Sequence, residues 1–171
     1  MQLIIKKLLI IMTIIITFES NHSKVFTSVD DFDDYGLISI MYHRFDENKY
    51  PSTNIQLDVF KEQLQIIENL GIRFIHPNDF TKSLSGEKKE RKILLTIDDA
   101  FSSFYSNAWP ILKKNKIPFI LFVSTETVGK NGYMSWEEII EISKEDYVFI
   151  GNHSHSHEYL IKYKFEDFKK D

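Results

Sequence analysis

The chain has 171 residues, a length typical of one domain, and 43% of them are hydrophobic, which is enough to build a packed core. Its formal net charge of −4 comes from interspersed Lys, Asp and Glu, and no basic face suggests a nucleic-acid partner. The absence of cysteine excludes disulfide frameworks, thiolate zinc sites and cysteine nucleophiles. Any metal site must therefore use histidine nitrogens and carboxylate oxygens.

Residues 1–20 are typical of a signal peptide or membrane anchor. Lys6 and Lys7 precede an apolar run from Leu8 to Phe18, whose length suits a signal h-region better than a full membrane span. Residues 18–20 lack a small-residue cleavage pattern, so cleavage and retention as an anchor both stay open. A buried amino-terminal helix is disfavoured because the run is apolar on all sides. We expect an exported protein, whether periplasmic, extracellular or membrane-anchored.

Residues 21–35 form a polar, acidic lead-in to a domain that we expect over 36–171. An apolar strand is predicted at 37–42, directly before His43. Apolar residues at helical spacing then predict an amphipathic helix over 57–70, which ends at Gly71.

The rest of the chain alternates between predicted strands and helices. The strands are 73–75, 92–97, 118–123 and 147–150, and the helices are 78–84, 102–115 with an irregularity at Pro110, and 136–143. This alternation indicates parallel βα units and an α/β fold. Functional groups in such folds collect at the carboxyl ends of strands, which is where His43, Asp98 with Asp99, and His153 fall.

Three histidines are clustered in G-N-H-S-H-S-H, at positions 153, 155 and 157. An extended strand would point all three to one face, whereas a helical turn would bring only His153 and His157 together. A catalytic zinc site typically uses three protein ligands and leaves one position for water. Two histidines would therefore need a carboxylate from elsewhere in the chain.

Asp98 and Asp99 are the natural source of that carboxylate. Adjacent carboxylates at the end of an apolar strand need a compensating partner, such as a divalent cation. Consecutive strand residues point to opposite sides, so one aspartate can bind metal while the other faces the attacking water. Taken alone, the pair could also cap a helix over 101–105, but the histidine cluster favours the metal site.

The sequences L-T-I-D-D-A at 95–100 and H-S-H-S-H at 153–157 resemble the first two motifs of the polysaccharide deacetylase, or NodB-homology, family. Those motifs are T-F-D-D-G and H-[S/T]-x-x-[H/P]. The resemblance implies an incomplete or distorted (β/α) barrel in which Asp98 is the general base and Asp99, His153 and His157 bind a divalent metal. It places His155 at a variable position. Zinc is favoured for this ligand set, with cobalt, nickel and manganese as alternatives.

The amino-terminal half is similar to the biofilm poly-β-1,6-N-acetylglucosamine deacetylase branch of that family, through M-Y-H-R-F at 41–45 and Y-P-S-T-N-I at 50–55. This similarity implies that His43 is the general acid, although it could equally be a core histidine at a strand end. The implied function is metal-dependent removal of N-acetyl groups from an N-acetylglucosamine polymer.

Two departures from the family pattern qualify this prediction. Ala100 replaces the usual glycine, so we expect the turn after the aspartates to form without ready access to positive φ. The Arg-Pro and Trp-containing motifs do not occur within these residues, so we expect a domain truncated at its C-terminal end. A non-catalytic metal- and glycan-binding relative and a decaying gene product are the alternatives. A metallo-β-lactamase-like site is disfavoured because Glu158 and Tyr159 follow the cluster instead of an Asp-His pair.

Overall fold

Seven β-strands and five α-helices follow one another in residues 36–85 and 90–171, which are the residues that this computed structural model describes. The strands are β1 Gly36–Tyr42, β2 Arg44–Phe45, β3 Asn54–Ile55, β4 Arg73–Phe74, β5 Arg91–Asp98, β6 Phe119–Val123 and β7 Val148–Asn152. The helices are α1 Leu57–Asn69, α2 Phe80–Ser85, α3 Trp109–Asn115, α4 Trp136–Ser143 and α5 Phe165–Phe168. The predicted signal or anchor and the acidic lead-in lie outside the described residues. Within those residues, no helix is both long and apolar enough to span a membrane.

The main sheet is parallel throughout and is centred on β5. Strand β1 pairs along one side of β5, and its last pair joins Tyr42 to Ile97. On the other side of β5, β4 pairs with the first part of that strand and β6 pairs with its last part. Strand β7 pairs with β6, which gives the order β1-β5-β6-β7. Because all strands run the same way, their carboxyl ends lie along one edge of the sheet.

The two faces of the sheet have different surroundings. Leu95 and Ile97 of β5 point into the hydrophobic core, together with Phe60 of α1 and Leu112 of α3. The alternate residues of β5, ending with Asp98, line a groove of ≈ 540 Å³ on the opposite face. The period of two along β5 therefore places Asp98 away from the core helices.

The helices follow the sequence prediction closely. Helix α1 was predicted over 57–70 and spans Leu57–Asn69. Helix α4 begins after Ser135, whose side chain accepts from the Glu138 N–H while the Glu138 carboxylate accepts from the Ser135 N–H. This capping box fixes the start of α4 at the predicted residue.

Within the described residues the main sheet is open, with β1 and β7 at its edges, so the predicted α/β class and incomplete barrel are confirmed. Two features were not predicted. Strands β2 and β3 form a separate two-stranded pair. The helix predicted over 102–115 contains a π-helical turn at Phe104–Ala108, just before Pro110, which has no N–H to donate.

Candidate metal centre

The parallel sheet brings the predicted functional residues to one edge. His43 follows β1, Asp98 ends β5 and is followed by Asp99, and His153 follows β7. The register of β5, β6 and β7 aligns these ends, since Asp98 pairs with Phe122 and Asn152 pairs with Val123. The common strand direction is thus the physical reason why residues about 55 positions apart in the sequence meet.

Asp99, His153 and His157 form a compact group of candidate ligands. The Nε2 atoms of His153 and His157 lie 3.4 and 3.3 Å from the same oxygen, Oδ1 of Asp99. Ligand atoms of all three residues lie within 4.8 Å of one another. The imidazole rings cross at 63° with their centres 4.8 Å apart. This convergence of two nitrogens and one carboxylate is the donor set predicted from the sequence.

The acid loop, residues 98–101, is strained and buried. Asp99 and Ala100 both have positive φ, 72° and 53°, so the expectation that the turn would avoid this region is wrong. Such a conformation costs a non-glycine residue about 1–3 kcal/mol and persists only where the surrounding contacts impose it. Here the Ala100 carbonyl accepts from the Met134 N–H at 2.9 Å, and Ala100 is only 1% exposed. Tertiary contacts thus hold Ala100 in a backbone conformation that a glycine would adopt without them.

Arg44 packs against the acid loop. Its guanidinium lies 3.5 Å from the centre of the Phe101 ring and 4.3 Å from that of Tyr50. The same group donates to both carboxylate oxygens of Glu47, at 3.2 and 3.0 Å. Glu47 in turn accepts from the Ser103 hydroxyl at 2.6 Å. This Arg44 clamp ties the segment after His43 to the segment after the aspartates.

The histidine loop, residues 153–157, is neither a strand nor a helical turn. Ser154 and His157 have positive φ, 64° and 57°, so neither conformation considered from the sequence is adopted. The irregular loop nevertheless brings the rings of His153 and His157 together, whereas the His155 ring contacts Thr125. Asn152 accepts from the Ser154 N–H at 2.8 Å, and the Ser154 hydroxyl accepts from the His157 N–H at 3.0 Å. Local side-chain hydrogen bonds therefore stabilise both left-handed residues.

Asp98 lies beside the candidate ligands. Its Oδ2 is 3.9 Å from Nε2 of His153, and its side chain is 11% exposed. Burial raises the pKa of the Asp98 carboxyl, while the charges of His153 and His43 oppose that shift and the charge of Asp99 adds to it. Its Oδ1 is fully buried and has no hydrogen-bond donor among the described residues. Asp98 thus combines a raised pKa with unused accepting capacity.

The other two histidines of interest differ in position. His43 is half-buried and near enough for its charge to lower the pKa of Asp98. His155 is exposed, and its Nδ1 lies 2.8 Å from the Thr125 hydroxyl rather than near the Asp99 carboxylate.

Three contributing residues were not singled out from the sequence. Arg44 follows His43 directly, so its position within M-Y-H-R-F could have indicated that it lies near the site. Thr125 follows β6, whose carboxyl end lies at the same edge as the other strand ends. Asp171 accepts from the N–H of Ser156 at 2.8 Å, a contact that no local pattern indicates.

The residues present fit a divalent cation of the type that accepts nitrogen and oxygen ligands. Two imidazole nitrogens and one carboxylate oxygen form a three-ligand set that suits catalytic zinc. The Asp99 side chain is 14% exposed and Asp98 is 11% exposed, so two carboxylates share a poorly solvated site. The buried Oδ1 of Asp98 has no hydrogen-bond donor among the described residues, so its negative charge is not compensated there. A bound cation would compensate this charge.

Comparison with known proteins agrees with the fold and identifies a family. A sequence profile described as polysaccharide deacetylase matches residues 85–171. The poly-beta-1,6-N-acetyl-D-glucosamine N-deacetylase of Staphylococcus aureus strain MRSA252 is 25% identical over 132 residues, covering 74% of this chain and 46% of that protein. The chain thus spans less than half the length of the curated relatives it matches.

Solved structures show the same fold. IcaB from Ammonifex degensii is 30% identical with a TM-score of 0.63, over 78% of this chain and 57% of that one. The Streptococcus pyogenes deacetylase PplD, solved in complex with acetate, is 23% identical with a TM-score of 0.63, over 75% of this chain and 60% of that one. The chain belongs to the polysaccharide deacetylase family, a family of amide hydrolases.

Proposed function

We propose that this chain carries the metal centre and general base of an N-deacetylase that acts on an N-acetylglucosamine polymer. The observation that carries the proposal is the convergence of Asp99, His153 and His157 beside the buried Asp98. The substrate class is supported by the similarity to the Staphylococcus aureus enzyme, whose name specifies poly-β-1,6-N-acetylglucosamine. An extracellular polymer also agrees with the export predicted from the apolar run Leu8 to Phe18.

Asp99, His153 and His157 would hold the cation, which we propose to be zinc. When bound, such a cation polarises an amide carbonyl and makes a water molecule more acidic. His153 and His157 must be neutral to act as ligands, and the Nε2 atoms of both rings face the same Oδ1 of Asp99.

Asp98 is proposed to remove the proton from the attacking water. A base works best when its pKa lies near the working pH, and burial raises the pKa of Asp98 in that direction. Its position at the end of β5 holds the carboxylate next to His153, so the base and the ligands keep a fixed spacing. The unused Oδ1 can accept a further hydrogen bond.

His43 is proposed to protonate the departing amine. An amine is a poor leaving group unless it receives a proton as the carbon–nitrogen bond breaks. His43 lies on the β1 side of Asp98, whereas His153 lies on the β7 side. A proton donor and the metal ligands would thus approach the amide from different strand ends.

Acetate release from an N-acetylglucosamine pentamer by the zinc-loaded full chain tests this proposal. We expect Asp98→Asn to lower the rate by about 100-fold or more, because general base catalysis contributes roughly 10²–10⁴-fold. Zinc content should stay unchanged in that variant. Asp146→Asn, at an exposed carboxylate, is the matched control and should keep the wild-type rate.

Two outcomes would contradict the proposal in different ways. Full activity of Asp98→Asn would show that the base is another group. Zinc and pentamer binding by the wild-type chain without acetate release would instead favour the non-catalytic metal- and glycan-binding relative.

A further inference from the structure

The backbone of the histidine loop is hydrogen-bonded to the carboxylate of Asp171. Its Oδ1 accepts from the Ser156 N–H at 2.8 Å, and the His155 N–H donates both to the main-chain oxygen of Asp171 at 3.0 Å and to its Oδ2 at 3.3 Å. The two N–H groups are consecutive and lie between the candidate ligands His153 and His157. A single carboxylate therefore spans the centre of the loop that carries both imidazoles.

The loop needs such support because its backbone is unfavourable. Ser154 and His157 both occupy the left-handed region without being glycine. The β6 side of the loop is fixed by Thr125 and Glu126, whose N–H groups donate to the Ser154 and His155 carbonyls at 3.3 and 3.0 Å. The acceptors for the N–H groups of His155 and Ser156 come from Asp171. These carbonyls and N–H groups are thus held by different sets of hydrogen bonds.

Asp171 is suited to this task by its charge. Hydrogen bonds from the Ser156 side chain and then the Ser156 N–H lower the pKa of the Asp171 carboxyl, so it is ionised at neutral pH. An ionised acceptor makes stronger hydrogen bonds to N–H groups than a neutral one does. The segment after α5 returns to the loop and delivers this carboxylate.

We propose that Asp171 is a positioning residue that sets the orientation of His153 and His157 by fixing the backbone between them. It contacts neither ring, so it acts through the N–H groups of His155 and Ser156. The inference rests on the proposed metal site and extends it, because it assigns a residue outside both family motifs to metal affinity. Outer residues that orient metal ligands typically change affinity by about 10–100-fold when they are replaced.

Titration of the full metal-free chain with Co²⁺ tests the inference through affinity and the visible absorption of the bound ion. We expect Asp171→Ala to weaken binding by about tenfold or more and to alter the Co²⁺ absorption band, because the histidines lose their fixed orientation. Asp171→Asn keeps one oxygen acceptor and should fall between the wild type and Asp171→Ala. Asp167→Ala is the matched control, because it removes one carboxylate of α5 that pairs only at 4.0 Å with Lys170.

The melting temperature of the metal-free variants separates positioning from general stability. The inference predicts weaker Co²⁺ binding with a melting temperature close to that of the control. Unchanged Co²⁺ affinity and spectrum in Asp171→Ala would overturn it, and so would a loss of affinity that merely follows a loss of folded protein. If Asp171→Ala does not fold, Asp171→Asn decides by the same criteria. Failure of the wild-type chain to bind Co²⁺ would instead overturn the proposed metal centre itself.

Discussion

The acid loop and the histidine loop provide ligands to the same candidate site but are stabilised in different ways. Ala100 and Phe101 of the acid loop are 1% and 5% exposed, and the Arg44 clamp covers them. In the histidine loop, the side chain of His157 is 53% exposed. Core packing thus fixes the carboxylate ligand, whereas a few polar contacts fix the imidazoles.

This difference separates stability from metal affinity. A change in the acid loop should affect both, since Ala100 and Phe101 are buried in the core while Asp98 and Asp99 form part of the site. A change in the histidine loop or its supports should affect metal affinity far more than the free energy of unfolding. Predictions about the two loops therefore need both measurements.

The largest effect is expected for Asp99→Ala. Both histidine rings face the same Oδ1 of Asp99, so its removal leaves two imidazoles without the third ligand. Replacing a residue that only hydrogen-bonds to a metal ligand typically changes metal affinity by roughly 10–100-fold. Because Asp99 is itself a proposed ligand, we expect the zinc dissociation constant to rise by more than about 100-fold. Isothermal titration calorimetry measures this change.

His155→Ala is the internal control for that measurement. His155 contacts Thr125 instead of Asp99, so the dissociation constant should change by less than about tenfold, the equivalent of one ordinary hydrogen bond. Equal losses in Asp99→Ala and His155→Ala would contradict the assignment of the ligands.

A smaller effect, on stability, is expected for Arg44→Ala. The substitution removes contacts with two aromatic rings and an ion pair whose side chains are only 15% and 24% exposed. Cation–π contacts contribute about 0.5–2 kcal/mol and hydrogen bonds to charged groups roughly 1.5–3 kcal/mol, so we expect the free energy of unfolding to fall by about 2 kcal/mol. Urea denaturation of the metal-free chain provides the measurement.

Arg73→Ala is the matched control, because Arg73 pairs with Glu90 on the surface, where both side chains are 64% exposed. An exposed ion pair contributes about 0–1 kcal/mol. Similar losses in the two variants would mean that the Arg44 clamp does not stabilise the acid loop.

The sequence predicts the elements that local patterns determine. Helix α4 was placed correctly because Ser135 and Glu138 form a capping box, and β5 because Ile93, Leu94, Leu95 and Ile97 make 92–97 a largely apolar run. Strands β2 and β3 have two residues each, too few to show a periodic pattern. Short pairs of this kind depend on contacts made elsewhere in the fold.

For the candidate site, the sequence identifies which residue types meet but not the conformation that brings them together. The strand ends and the family motifs indicate Asp99, His153 and His157. The left-handed conformation of Ala100 could not be predicted, because an alanine rarely adopts it unless tertiary contacts impose it. The hydrogen bond from the Met134 N–H to the Ala100 carbonyl is such a contact.

The smallest expected effect concerns the pH dependence of stability. Burial raises the pKa of Asp98 in the folded chain, so folding favours the protonated carboxyl. Its stabilising contribution is therefore fully present below the ordinary aspartate pKa of about 3.9 and is lost as the pH rises through the folded-state pKa.

Asp98→Asn, which cannot ionise, tests that reasoning in the metal-free chain. The variant should melt at a higher temperature than the wild type near neutral pH, and the difference should vanish near about pH 3, where both side chains are uncharged. Thermal melts between these limits measure the difference, with Asp146→Asn as the exposed control that should follow the wild type. A difference that stays constant with pH would mean that Asp98 keeps an ordinary pKa. In that case the burial of the acid loop would not raise the pKa of Asp98, and the two loops would not differ in this respect.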